Sequence, residues 1–104
     1  PLRAIVRFYL SPQHRDRIGK GCAIAALSQD AVRGSDALRD VFEAAIRDYF
    51  SLLAELVPGE TDAERFKRSM VTYSTMVGAL QLARAVTDPK LSDAILEAAV
   101  EALV

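Results

Sequence analysis

The apolar residues of this chain recur every three or four positions along nearly its whole length, which is the spacing of an amphipathic helix. The pattern predicts five helices, over residues 2–10, 22–32, 36–56, 62–86 and 89–104. Residues 22–32 begin with a continuous apolar run that would also suit a buried strand, but the run is rich in alanine, which favours helix over strand. We therefore expect an all-α fold with about five helices in a bundle.

Capping and breaking residues mark the ends of these helices. Ser11-Pro12 is expected to end the first helix, and a polar loop is expected over residues 13–21. Ser35 has the side chain of an N-cap for the long third helix. The run Thr61-Asp62-Ala63-Glu64 has the form of a capping box, and Asp88-Pro89 separates the fourth helix from the last.

The last helix is more apolar than a surface helix of a small monomer should be. Its only polar side chains after Ser92 are Asp93, Glu97 and Glu101, which lie four residues apart and form one thin acidic strip. Roughly two-thirds of the circumference is left apolar, whereas an outer helix normally hides one face and exposes the other. We interpret this helix as half of a subunit interface.

Composition predicts one folded domain spanning residues 1–104. Hydrophobic residues make up 51% of the chain and charged residues 26%, which is typical of a soluble globular protein. No apolar run reaches the roughly 18 residues needed to cross a bilayer, and no signal peptide is visible. The single cysteine, Cys22, cannot form an internal disulfide. These features predict a cytoplasmic protein with no membrane partner.

The charges are distributed unevenly along the chain. The net charge of −1 argues against a surface that coats nucleic acid. Residues 1–33 contain six Lys and Arg against two Asp and Glu, whereas residues 34–60 contain two against six. Arg15, Arg17 and Lys20 form the densest basic cluster, which could hold an anion or the carboxylate of a ligand. We favour solvated surface patches over a phosphate site.

Residues suited to metal binding or catalysis are scarce. One histidine and one cysteine cannot assemble a zinc site of about four ligands, and no Glu-x-x-His pair of a di-iron bundle is present. Cys22 opens an apolar helix, where a free cysteine behaves as a small hydrophobic residue, so we interpret it as structural or pocket-lining. His14 falls in a charged loop and is interpreted as solvated. We expect no enzyme, no metal and no cofactor.

A belt of hydroxyl groups interrupts the fourth helix. Thr72, Tyr73, Ser74 and Thr75 lie in the middle of an otherwise apolar segment. Buried hydroxyl groups need hydrogen-bond partners, so the belt either bonds to backbone or faces a cavity. A cavity with apolar walls and a few hydroxyl groups is typical of a small-molecule site. The residues alone leave a packed core and a ligand cavity equally open.

Four segments together resemble the carboxy-terminal domain of tetracycline-repressor (TetR/AcrR) family regulators. They are YLSPQHRD (9–16), GCAIAAL (21–27), MVGALQLARAV (76–86) and DPKLSDAIL (88–96). The resemblance extends over nearly the whole chain, and the final 30 residues carry it most specifically. It implies a helical domain that senses a small molecule and forms a homodimer through its last two helices, as a four-helix interface.

The resemblance also implies where the effector and the second subunit would bind. The effector would be a small hydrophobic or amphipathic molecule in a cavity bounded by residues 2–10, 22–32, 36–56 and 62–77. The pocket candidates are Phe8, Cys22, Ala26, Phe42, Tyr49, Met70, Tyr73 and Met76. The interface candidates are Val71, Gly78, Leu82, Ala85, Leu91, Ile95, Ala98, Ala99 and Ala102.

The chain departs from the family pattern at its amino terminus, where the helix-turn-helix domain and the linking helix are absent. DNA would be contacted only through such a domain, so we expect either a sensor domain separated from a longer regulator or a shortened relative. The alternative hypothesis is a constitutive helical dimerisation module with a solid core and no ligand. An enzyme with Cys22 as nucleophile is the weakest of the three hypotheses.

Overall fold

The computed structural model describes residues 1–17 and 33–104, and all regular structure within them is helical. The helices are α1 (Leu2–Tyr9), α2 (Pro12–Asp16), α3 (Asp36–Ala54), α4 (Asp62–Ala85) and α5 (Pro89–Leu103). The prediction of an all-α fold is confirmed. The helix predicted over residues 22–32, with the pocket candidates Cys22 and Ala26, lies outside the described residues. Among the helices that are described, none is long and apolar enough to span a membrane.

Side-chain caps begin the three long helices at the residues that the sequence indicated. The Ser35 hydroxyl accepts a hydrogen bond from the backbone N–H of Leu38, and the Thr61 hydroxyl accepts one from that of Glu64. Asp88 caps α5 in the same way, with Pro89 in the first turn. Each cap satisfies a backbone donor that has no partner within its helix, and a cap of this kind stabilises a helix by about 1 kcal/mol.

The polar loop expected after Ser11 is wrong for residues 13–16, because a short helix, α2, occupies this position. The Ser11 hydroxyl accepts from the backbone N–H of His14 at 3.2 Å, and Pro12 occupies the first turn. Proline suits that position because the missing N–H would have no intrahelical partner there. Ser11-Pro12 therefore ends α1 and also begins α2.

The central helix of the fold is α4. α3 and α5 both pack along it, and α1 and α2 contact it as well. Its inward side chains recur every three or four residues, and Tyr73, Met76 and Leu80 are 4%, 1% and 0% exposed. Val6 of α1 and Leu96 of α5 are also buried. Burying a side chain such as Met76 or Leu80 contributes about 1.5–3 kcal/mol, so this line of contacts stabilises the bundle substantially.

Three faces run along α5, about a third of a turn apart. The first face is buried against the rest of the chain and contains Ser92, Leu96, Ala99 and Val100. The second is the acidic strip, and the third is an apolar face that is largely exposed. The interface candidate Ala99 belongs to the buried face of its own chain, where it is 8% exposed. It follows Leu96 by three residues and Ser92 by seven, which places it on their side of the helix.

Candidate functional site

A cavity of about 610 Å³ lies among α1, α2, α3 and α4. Pockets that bind small molecules in proteins have volumes of about 300–1,000 Å³. The cavity is lined by Ile5, Phe8, Tyr9, Ser11, Gln13, His14, Arg17, Tyr49, Leu52, Leu53, Tyr73 and Met76. Several of these side chains are well exposed, including Phe8 at 66% and Leu52 at 52%, so the cavity is bordered by accessible apolar surface.

Aromatic rings form much of the cavity wall. The rings of Tyr49 and Tyr73 are stacked, with centroids 4.9 Å apart and planes 12° apart. The ring of Tyr9 is tilted by 59° to that of Tyr73, with centroids 6.2 Å apart. Aromatic pairs at such distances are stabilised by about 0.5–1.5 kcal/mol beyond the burial of their area. The stacking fixes the orientation of the rings that a bound molecule would meet.

His14 is buried in the cavity wall, at 5% exposure, so its interpretation as a solvated residue is wrong. Its Nδ1 lies 2.7 Å from the carbonyl oxygen of Tyr9. Because a carbonyl oxygen can only accept, Nδ1 must carry the proton. The imidazole ring is 4.7 Å from that of Tyr9 and 5.8 Å from that of Phe8, measured between centroids. The cap at Ser11 marks the start of the short helix α2, but it does not indicate which side chain of that helix is buried.

The polar part of the lining comes mainly from α2 and its two caps. Ser11, Gln13, His14 and Arg17 belong to this short segment. The Ser11 hydroxyl is fully engaged, since it also donates to the carbonyl of Phe8 at 2.7 Å. α3 and α4 contribute aliphatic side chains, methionine and tyrosine instead. The cavity therefore has an apolar and aromatic body with one polar wall.

The structure brings together half of the pocket candidates: Phe8, Tyr49, Tyr73 and Met76 line the cavity. Phe42 lies in a shallower groove between α3 and α4, because it precedes Tyr49 by seven residues and is therefore about 10 Å away along the helix. Met70 is 37% exposed and is not part of the cavity lining. Phe42 and Met70 thus lie outside this lining, because axial position and helix phase depend on packing that periodicity does not give.

Most of the interface candidates form one exposed apolar surface on α4 and α5. Val71, Leu82 and Leu91 are 60%, 60% and 49% exposed. On each helix these apolar residues form a stripe, which lies about 100° around the axis from the side that contacts the other helix. The rotation from contact to stripe has the same sense on both helices when each is viewed from its N-terminus. Because the helices run antiparallel, the two stripes lie on one side of the pair. We call this surface the hairpin face; its residues are Val71, Gly78, Leu82, Ala85, Leu91, Ile95, Ala98 and Ala102.

Gly78 is placed near the middle of the hairpin face. A Cβ atom added to Gly78 would meet no atom within 4 Å. The packing of the single chain therefore does not require a glycine at this position. A small residue on an exposed helix surface lets a second helix approach closely. Because glycine has no side chain, the hairpin face is indented at the place where a partner helix would pack.

A network of hydrogen bonds, which we call the α2 clamp, joins the polar cavity wall to α4 and α5. Arg84 donates from Nη2 to the carbonyl of His14 and from Nε to that of Arg15, each at 3.0 Å. Arg15 donates from Nη1 to the Ser92 hydroxyl at 2.9 Å and to the Asp93 carboxylate at 2.6 Å. Ser92 in turn donates to the carbonyl of Ala83 at 2.7 Å.

The arginine in this network also binds its neighbour along the chain. Nε of Arg15 lies 2.9 Å from a carboxylate oxygen of Asp16. This hydrogen bond lowers the pKa of Asp16, and the contacts with Asp16 and Asp93 raise the pKa of Arg15. One member of the predicted basic cluster is thus occupied by internal ion pairs. Arg17 lines the cavity, and Lys20 lies outside the described residues.

Comparison with known proteins gives no match: no family model, no curated protein and no solved structure matches this chain. Within residues 1–17 and 33–104, no group of three or more His, Cys, Asp or Glu side chains could hold a metal ion. The cavity, the α2 clamp and the hairpin face are therefore the features of the described residues that bear on function.

Proposed function

We propose that this chain is the effector-sensing and homodimerisation domain of a TetR-type transcriptional regulator. The observation that carries the proposal is the arrangement of two surfaces around α4. The cavity lies on one side of this helix, the hairpin face lies on the other, and the α2 clamp connects the cavity wall to the α4–α5 pair. A sensor needs such a connection between its ligand site and its subunit contact.

The composition of the cavity supports an effector that is small and hydrophobic or amphipathic. Its volume of about 610 Å³ suits a drug-sized molecule. Leu53 and Met76 provide buried apolar contacts, while Gln13 and Arg17 provide polar ones. An apolar cleft with a few polar groups is typical of a small-molecule site, whereas the alternative hypothesis, a solid-core interaction module, has no need of one.

The hairpin face supports a second copy of the chain as partner. Monomeric proteins rarely expose large contiguous apolar patches, and those that do usually bind something there. A two-fold contact uses the same patch on both subunits, so the α4–α5 pair of one copy can pack against the α4–α5 pair of the other. Gly78 allows the backbones to approach closely.

The mechanism we propose is a shift between two arrangements of the subunits. A ligand that contacts α2, α3 and α4 favours one position of α2, and the α2 clamp transmits that preference to Ser92 and Asp93 on α5. A differential affinity of a few kcal/mol suffices to shift such an equilibrium. In a regulator that also carries helix-turn-helix domains, the change alters their spacing, and DNA half-sites lie about 34 Å apart.

Two measurements test the proposal. Sedimentation velocity at micromolar concentration should give a dimer, and Ile95→Glu should give monomers, because the substitution buries a charge without a partner. A thermal-shift screen with hydrophobic small molecules should raise the melting temperature. A monomeric wild-type chain would contradict the subunit contact. A dimer whose melting temperature no compound raises would favour the constitutive module instead.

A further inference from the structure

We propose that the effector is an aromatic carboxylic acid, with a planar system of two or three rings among the tyrosines and its carboxylate at Arg17. This inference rests on the proposed sensing function and specifies its ligand class. It follows from three features of the cavity: the geometry of its rings, the sign of its charge, and the donor groups of α2.

The rings favour a flat aromatic ligand over an aliphatic one. Tyr49 is stacked on Tyr73 through one face, yet it remains 41% exposed and lines the cavity. A planar ring can extend this stack on the cavity side, since offset stacking is favourable at the same spacing. Phe8, which is 66% exposed at the border of the cavity, offers a further ring. A fused bicyclic or tricyclic system makes such contacts at low conformational cost because it is rigid.

The sign of the charge favours an anion. Among the described residues that line the cavity, Arg17 is the charged one, and no Asp or Glu is among them. Arg17 is exposed and forms no ion pair with the described part of the chain. The nearby carboxylate of Asp16 is already bound by Arg15. The lining therefore presents one positive charge that an anionic ligand can neutralise.

The donor groups favour a carboxylate over a phosphate. A guanidinium group has a planar fork of N–H donors that matches the two oxygens of a carboxylate. Gln13, next to Arg17 on the polar wall, provides an amide donor. A phosphate dianion is usually held by several cations or by a series of backbone N–H groups, and the part of the lining that the structure describes has a single cation. One positive charge and one amide suit a single negative charge.

The test compares ligands that differ in one property. Isothermal titration calorimetry of the full chain at pH 7 would use 2-naphthoate, its neutral isostere 2-naphthamide, and decanoate as an aliphatic acid. We expect 2-naphthoate to bind roughly tenfold more tightly than 2-naphthamide, since a charge-assisted pair adds to the neutral hydrogen bond. Arg17→Gln should abolish that preference, whereas Arg7→Gln, an exposed arginine of α1 outside the lining, should preserve it.

A second variant tests the ring contact. Tyr49→Leu keeps an apolar side chain but removes the stacking surface, so it should weaken 2-naphthoate severalfold while leaving decanoate nearly unchanged. Equal affinity for naphthoate and naphthamide, or an Arg17→Gln variant that keeps the preference, would overturn the inference. If neutral hydrophobic compounds bind and the acids do not, the sensing function stands and the ligand class is wrong. If no compound of any class binds, both fall together.

Discussion

The side chain of Arg84 should contribute measurably to stability, because it holds the C-terminal end of α2 through two charge-assisted hydrogen bonds. Arg84→Met keeps the length of the aliphatic stem and removes both donors. Hydrogen bonds from charged groups contribute about 1.5–3 kcal/mol each, but these are partly buried, and water can solvate the released carbonyls of His14 and Arg15. We therefore expect a total loss of about 1–2 kcal/mol.

The loss can be measured by urea unfolding followed by far-UV circular dichroism, because the fold is helical and the chain has no tryptophan. Protein concentration must be held constant, since dimerisation would shift the apparent stability. A loss of about 1–2 kcal/mol corresponds to a fall in melting temperature of about 4–15 °C for a domain of this size.

The matched control is Arg47→Met, which removes an exposed ion pair to Glu43 at 3.1 Å on the surface of α3. Exposed pairs of this spacing contribute only about 0.3–0.5 kcal/mol. Arg84→Met should also weaken ligand binding, because α2 carries the polar wall of the cavity. If the two variants were equally stable and bound ligand equally well, the α2 clamp would have no structural role.

Three further predictions follow from burial and charge. Met76→Ala should cost about 2–5 kcal/mol in unfolding free energy, because Met76 is 1% exposed, and Met70→Ala, at a position 37% exposed, should cost much less in the same urea titration. Gly78→Arg should leave the single chain folded by circular dichroism, since a Cβ there meets nothing within 4 Å, but should yield monomers in sedimentation; an unchanged dimer would exclude Gly78 from the contact. The pKa of Asp16 is lowered by Arg15, so its contribution to stability is present above the ordinary carboxyl pKa of about 4 and is lost as the pH falls further. Asp16→Asn should therefore flatten the acid limb of a stability–pH profile, and an identical profile would refute the pairing.

The boundaries of the long helices could be predicted because their signals are local. Ser35, Thr61 and Asp88 each bond to a backbone N–H two or three residues later, so the sequence around them contains all the information needed. Ser11 carries the same signal, but Pro12 beside it was interpreted only as a stop. The short helix α2 was missed because a proline in that place is compatible with both an end and a beginning.

The site could be predicted only in part because it depends on contacts between distant segments. Tyr73 and Met76, which the resemblance named as pocket candidates, line the cavity. The burial of His14 depends on α2 docking against α4, through Arg84, 70 residues further along the chain. Nothing in the local pattern around a charged loop indicates such a contact.

The same limit applies to the last helix. The excess of apolar residues in this helix is visible in the sequence. The sequence does not indicate, however, which of these residues are buried by the rest of the same chain. Ala98 and Ala99 are neighbours with the same side chain, yet one is exposed and the other is buried. The division between them is set by the approach of α4, and a shift of one residue turns a helix by about 100°.

The way the cavity is assembled has a consequence for how such a protein could diversify. α3 contributes Tyr49, Leu52 and Leu53 to the wall, and it packs chiefly on α4. α2 contributes the polar wall and is tied to α5. In a sensor of the proposed kind, substitutions on α3 would reshape ligand preference while assembly is conserved, whereas changes on α2 would alter both traits at once. If the chain senses an effector as proposed, selection for a new one would find its freest positions on α3.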